Sequence, residues 1–247
     1  MWLEPVRRAL ERASAPVVLF FRDDDAGWED DKLLRLLDLF GARATPIDLA
    51  VIPLALGDAM AARLRSRRAA ARGLLGLHQH GYRHANHEQL GRKCEFGLSR
   101  ARGEQLEDLR RGQALLADAL GEVDALFTPP WNRCSQVTVE SLHTLGFQAL
   151  SRDRTAERLD LAGMHELRVD IDWNKRSAQD PQRAALLADA LVAAMQSGEP
   201  VGVMLHHGVM HDEDFVQLDA LLGLLHGCPR AVCRSMSEVL GLTAATH

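Results

Sequence analysis

The sequence has little of what marks secreted, membrane-bound or nucleic-acid-binding proteins. Its only cysteines are Cys94, Cys134, Cys228 and Cys233, with no CxxC pair among them. A disulfide framework or a cysteine zinc site is therefore not expected, and the thiols read as free. No apolar run approaches the ~18–20 residues that a membrane-spanning helix needs, and Pro16 to Phe21, for one, is a strand's worth. There is no basic excess: 29 Lys+Arg stand against 34 Asp+Glu, a net charge of −5, whereas nucleic-acid binders are usually basic. Repeats and low-complexity linkers are missing too. The opening stretch lacks the order of a secretory signal, basic residues followed by an unbroken apolar core. Instead Glu4, Arg7, Arg8, Glu11 and Arg12 alternate with apolar residues, as on an amphipathic surface helix. These absences predict a cytoplasmic protein with no nucleic-acid and no membrane partner. It is expected to form one domain over 1–247, with a sizeable core drawn from its 47 % hydrophobic residues.

What is present is alternation. PVVLFF (16–21), TPIDLAVIP (45–53), GLLGLHQH (73–80), ALFTPP (125–130), QALS (148–151), HELRVDIDW (165–173) and PVGVMLHH (200–207) read as strands, with AVCRSM (231–236) as a short last one. Segments of helical spacing separate most of them. The clearest spans 100–120, where Leu106, Leu109, Leu116 and Leu120 form a stripe that Gly121 stops. Such alternation argues for an α/β fold with a parallel sheet under helices. The number of strand candidates in this length favours barrel-like closure.

The informative residues stand at the end of each apolar run. PVVLFF leads into Arg22, Asp23, Asp24 and Asp25; GLLGL into His78, Gln79 and His80, with His84 and His87 close behind. ALF leads into Thr128, Pro129, Pro130, Trp131 and Asn132, ELRV into Asp170, Asp172 and Trp173, and PVGVML into His206 and His207. In a parallel α/β barrel the C-terminal strand ends converge on one face, where active sites are built. Taken alone, the aspartates also fit a solvated turn or a helix N-cap. His80 and His84 stand four apart and can reach one ion from a helical turn or from a curved loop. Imidazole with carboxylate suits zinc, and equally iron, cobalt or nickel. Trp131 offers a flat plate beside such a site. His206 and His207 point to opposite sides, so at most one faces the centre.

In order, FRDDDAG, HGYRH, FTPPWN, DIDW and VMLHH resemble the five motifs of the polysaccharide deacetylase superfamily, carbohydrate esterase family four, and they run from near residue 20 to near residue 210. The resemblance implies a distorted (β/α) barrel of about seven parallel strands. It implies a metal-dependent hydrolase that removes an acetyl or similar acyl group from an N-acetylated sugar or a small acetylated amide. Its partner would be that small-molecule or oligosaccharide substrate; oligomeric state is not indicated. Residue by residue it implies Asp24 as general base and Asp25, His80 and His84 as ligands of one divalent transition metal, Zn²⁺ first, with Co²⁺, Ni²⁺ or Fe²⁺ as alternatives. His206 becomes the general acid with Asp172 orienting it, and Trp131, Pro130 and Trp173 line the substrate. The shifted register, with Asp23 and Asp24 as base and ligand, stays open. One position departs from the family. Where the third motif usually carries an arginine that steadies the base, this chain has Thr128, which leaves Arg22 or Arg133 as substitutes. A same-fold hydrolase of a non-sugar C–N bond (a ureide or cyclic imide) and a non-catalytic metal- or sugar-binding homologue are the alternatives.

Overall fold

The apolar runs become strands of one parallel sheet. The structure, a computed structural model, describes residues 2–177 and 180–242. In chain order its elements are α1 (Glu4–Arg12), β1 (Val17–Ala26), α2 (Asp30–Ala42), β2 (Ile47–Val51), α3 (Asp58–Ala70), β3 (Leu75–His80), α4 (Arg102–Leu120), β4 (Asp124–Thr128), α5 (Gln136–Thr144), β5 (Ala149–Asp153), β6 (His165–Val169), β7 (Ile171–Asp172), α6 (Arg183–Met195), β8 (Val201–Leu205), α7 (Asp212–His226), β9 (Ala231–Cys233) and α8 (Met236–Leu240). The sheet runs β6-β5-β4-β3-β2-β1-β8-β7, all parallel, and β9 pairs with the start of β1. Strands β2 and β8 are buried along their whole length, as parallel strands covered on both faces must be.

Closure depends on one residue. β6 and β7 are a single stretch of chain interrupted at Asp170, pairing with β5 on one side and β8 on the other. Asp170 makes the seam: its N–H donates to the Gly202 carbonyl at 2.8 Å, and its carboxylate accepts the Gly202 N–H at 2.9 Å. Gly202 has no room for a side chain there, since a Cβ would stand 2.8 Å from the Val169 Cα. Counting β6 and β7 as one, seven staves nearly close a distorted (β/α) barrel, as the resemblance implies, with β9 as an extra edge.

One boundary differs from expectation. β1 does not stop at Phe21 but continues through Arg22, Asp23, Asp24 and Asp25 to Ala26, because three of these charged side chains find buried partners. The aspartates are neither a solvated turn nor a helix cap. The four cysteines are free, and no helix among the described residues is long and apolar enough to cross a membrane.

Another buried carboxyl lies on β2, where Asp48 stands in register with Arg22 of β1. Asp48 accepts the Met236 N–H at 2.9 Å through Oδ2, while its Oδ1 has no partner. Burial raises its pKa well above 3.8, and the neighbouring Asp124 carboxylate pushes the same way. The folded state therefore holds this proton more tightly than the unfolded chain does. Its contribution to stability is complete below 3.8 and falls as pH rises above that, by at most about 1.4 kcal/mol per pH unit for one proton. Asp48→Asn is expected to raise the melting temperature at pH 8 and leave it nearly unchanged at pH 4. Equal shifts at both values would contradict this.

Candidate active site

Strand alternation builds the centre of the site. Arg22 and Asp24 lie two apart on β1 and so share a face, while Asp23 faces the other way. Arg22, wholly buried, grips Asp24 with both prongs, Nε to Oδ1 at 2.8 Å and Nη2 to Oδ2 at 2.9 Å. The same guanidinium donates to Ser151 Oγ at 2.8 Å and to Asn132 Oδ1 at 2.8 Å. It thereby ties β1 to β5 and to the turn after β4. Burial alone would raise the Asp24 pKa, but Arg22, with His80 and His206 behind it, holds it below the usual carboxylate range. Arg133 instead donates to the Lys93 carbonyl. Of the two possible substitutes for the missing arginine, Arg22 is the one on the aspartate. Thr128 bonds His78 Nε2 at 2.9 Å.

Asp23 is committed elsewhere. Its carboxylate accepts from His207 Nδ1 at 2.6 Å and from the His207 backbone N–H at 3.0 Å, both residues being buried. The ring's other nitrogen bonds the Trp28 carbonyl at 2.8 Å. Burial opposes the charge on His207, yet Asp23 holds its pKa up at about 9.

Asp25, with φ +70°, ends this acidic run and turns its carboxylate toward two imidazoles. Its Oδ1 stands 3.2 Å from His80 Nε2 and 3.2 Å from His84 Nε2. One donor atom from each of Asp25, His80 and His84 lies within 4.8 Å of the other two, the one such group among the described residues. His80 comes from the end of β3, and His84 from a loop rather than a helical turn. His80 Nδ1 must donate to the Thr128 carbonyl at 2.9 Å, since a carbonyl only accepts, which leaves Nε2 as the nitrogen turned toward the cluster. Burial opposes a charge on this ring, but the Asp25 and Asp24 carboxylates raise its pKa. Such a backbone partner orients metal-ligating histidines. Burial and the neighbouring His80 push the His84 pKa down to about 4, leaving that imidazole neutral near pH 7. Two imidazoles and a carboxylate converging on one point suit a divalent transition metal, whose charge would take the place of the proton that the carboxylates now favour on His80.

His206 completes the arrangement from the end of β8. Its ring is partly exposed, and Nε2 stands 4.0 Å from Asp24 Oδ2. Of the two histidines there, this one faces the centre and His207 does not. Trp131, half-buried at φ +56°, lies with its ring centroid 4.4 Å from that of His84. Trp28, 42 % exposed, meets the same imidazole edge-on at 5.0 Å.

Three expectations need correction. Asp172 does not hold the His206 ring: its carboxylate accepts the Asn174 N–H at 3.0 Å, and only the Asn174 side chain reaches the His206 backbone N–H. Trp173 is wholly buried and cannot touch substrate. It still pairs with β8, its N–H on the Met204 carbonyl at 2.9 Å, so strand alternation turns it away from the face Asp172 takes. It packs edge-on against Trp2 and under the Arg183 guanidinium. Pro130 is buried behind the His80–His84 loop, so close that a Cβ on Gly81 would meet its Cγ at 2.6 Å. Ser151 and Trp28 carry no mark in the sequence, because nothing local distinguishes them from ordinary loop or strand residues, and Asn132 is marked there only as the end of FTPPWN.

No protein-family model matches the chain and no curated protein does. Solved structures do. A candidate polysaccharide deacetylase from Mycobacterium smegmatis superposes with a TM-score of 0.68 at 18 % identity, covering 95 % of this chain and 97 % of its own. A family 4 acetyl xylan esterase from Clostridium thermocellum, in complex with a cobalt ion, gives 0.62 at 13 % identity over 92 % and 91 %. A family 4 pseudoenzyme from Bacillus anthracis gives 0.59 at 13 % identity, over 93 % of this chain and 66 % of that one. The chain thus has the fold of the family 4 carbohydrate esterases, a fold that carries both active and inactive members.

Proposed function

We propose that this protein is a metal-dependent deacetylase of the polysaccharide deacetylase superfamily, acting on an N-acetylated sugar or a small acetylated amide. The observation that carries the reading is the juxtaposition of the Asp25–His80–His84 cluster with Arg22-bound Asp24 and with His206. The three ligands would hold a divalent ion, which lowers the pKa of bound water and polarises a carbonyl. Asp24, immobilised by Arg22, takes the proton of the attacking water. Its commitment to the fork uses one bond from Arg22 at each oxygen, which leaves each with a further lone pair. His206, across the site, returns a proton to the departing amine nitrogen. Trp131, beside His84, supplies an apolar plate for the ring that carries the acetamido group, and a backbone N–H near it supports the developing oxyanion.

Asp24 rather than Asp23 is the base in this reading, because both Asp23 oxygens are occupied by His207. Arg22 answers the Thr128 departure that would otherwise favour a non-catalytic homologue. The test is released acetate from N-acetylated monosaccharides, chitooligosaccharides and small acetylated amides, with ureides and cyclic imides as the contrasting set. Acetate from the first set supports the reading. Turnover confined to the second, or binding without turnover, would replace it with the corresponding alternative.

A further inference from the structure

The bend that carries His84 back to Asp25 is secured by groups outside it. Between His80 and His84 the chain reverses through two left-handed residues, Gly81 at φ +58° and His84 at φ +56°. The second is strained for any residue with a Cβ. Four backbone groups of this turn are tied to residues outside it. The Gly81 carbonyl accepts from Gln79 Nε2 at 2.9 Å, and the Tyr82 carbonyl accepts the Leu54 N–H at 3.1 Å. The N–H groups of Tyr82 and Arg83 both donate to one carboxylate, that of Glu95, at 3.2 Å and 2.9 Å.

Glu95 is wholly buried, and no Lys or Arg pairs with it among the described residues. Burying a carboxylate without a cation is costly unless its hydrogen bonds compensate, and here those bonds go to the bend. Its fit is close: a Cβ on Gly81 would stand 2.2 Å from Glu95 Oε2. The carboxylate touches neither Asp25 nor the imidazoles directly, so it acts through the backbone. We propose that Glu95 is the positioning residue of the metal site, fixing the 81–84 bend so that His84 meets Asp25 and His80. This rests on the reading of those three residues as metal ligands.

The test is calorimetric titration of Zn²⁺ into metal-stripped wild type, Glu95→Gln, Glu95→Asp and Glu88→Gln, with melting curves of the stripped proteins. Gln keeps the shape but turns an NH₂ toward a backbone N–H, and Asp is too short to reach both amides. Glu88 belongs to the same loop region, but its carboxylate binds Ser99. Expected is a loss of Zn²⁺ affinity of about 10–100-fold in both Glu95 variants, with Glu88→Gln at the wild-type value. Wild-type affinity in a folded Glu95 variant would overturn the proposal, and so would an equal loss in Glu88→Gln. Wild type that takes up no Zn²⁺ would overturn the metal-site reading itself.

Discussion

Asp24→Asn is expected to slow acetate release by about 10²–10⁴-fold, the usual contribution of a positioned general base, while metal content stays at the wild-type level. The asparagine fits the same space and keeps one oxygen for Arg22, but it offers no proton acceptor of comparable basicity. It also turns an NH₂ toward one prong of the guanidinium and leaves buried Arg22 without its counter-charge, so a loss of stability of up to about 3–5 kcal/mol accompanies the loss of rate. The three residues of the metal cluster are separate from this pair, which is why metal and rate should part company. Steady-state kinetics on the best acetylated substrate, with metal per chain measured on the same preparation, checks both. A variant with wild-type rate would remove Asp24 from the mechanism. Asp23→Asn makes the contrast: with both oxygens on buried His207, it should lose stability before it loses chemistry.

Arg22→Met carries the second large effect, this time on folding. The substitution leaves Asp24 buried and charged without its bidentate partner, and strips a donor from both Ser151 and Asn132. Removing one member of a buried ion pair costs about 3–5 kcal/mol, because the remaining charge is desolvated with nothing to answer it. Arg22→Lys should recover part of this only: an ammonium can meet one carboxylate oxygen but not the planar fork together with two further acceptors. Denaturant unfolding of the three proteins would show the ranking wild type, Lys, Met. A Met variant within about 1 kcal/mol of wild type, the range of exposed pairs, would mean that the Arg22–Asp24 pair is not the anchor its burial indicates.

The barrel was legible because its signals are local and periodic. Apolar runs such as VGVML and LGL are buried on both faces, and each sits where its sequence places it. The strand-end polar residues were legible for the same reason, since alternation brings Arg22 and Asp24 to one face and the turn after β3 brings His84 to His80. What the sequence concealed depends on contacts between distant segments. Nothing near Asp172 signals that Asn174 would take its carboxylate, and nothing near Trp173 separates a buried tryptophan from a stacking one. Likewise Arg22 and Arg133 were equal candidates to steady the base. Only the placement of β5 and the Pro130–Asn132 turn around β1 distinguishes them, through Ser151 and Asn132. The length of β1 is hidden for a related reason: charged residues usually end a buried strand, but here their partners are supplied by the residues after β8 and by the strand itself.

The most direct measurement of the central claim is the metal content of the protein and of His84→Ala, both purified without a histidine tag and analysed by elemental mass spectrometry. The account predicts about one transition-metal ion per chain in the wild type, as three protein donors with open positions would hold, and a strong reduction in the variant. No metal in the wild type, even after zinc is added back, would contradict it, and would leave the Asp25–His80–His84 cluster as a hydrogen-bonded group on a fold that has lost its chemistry.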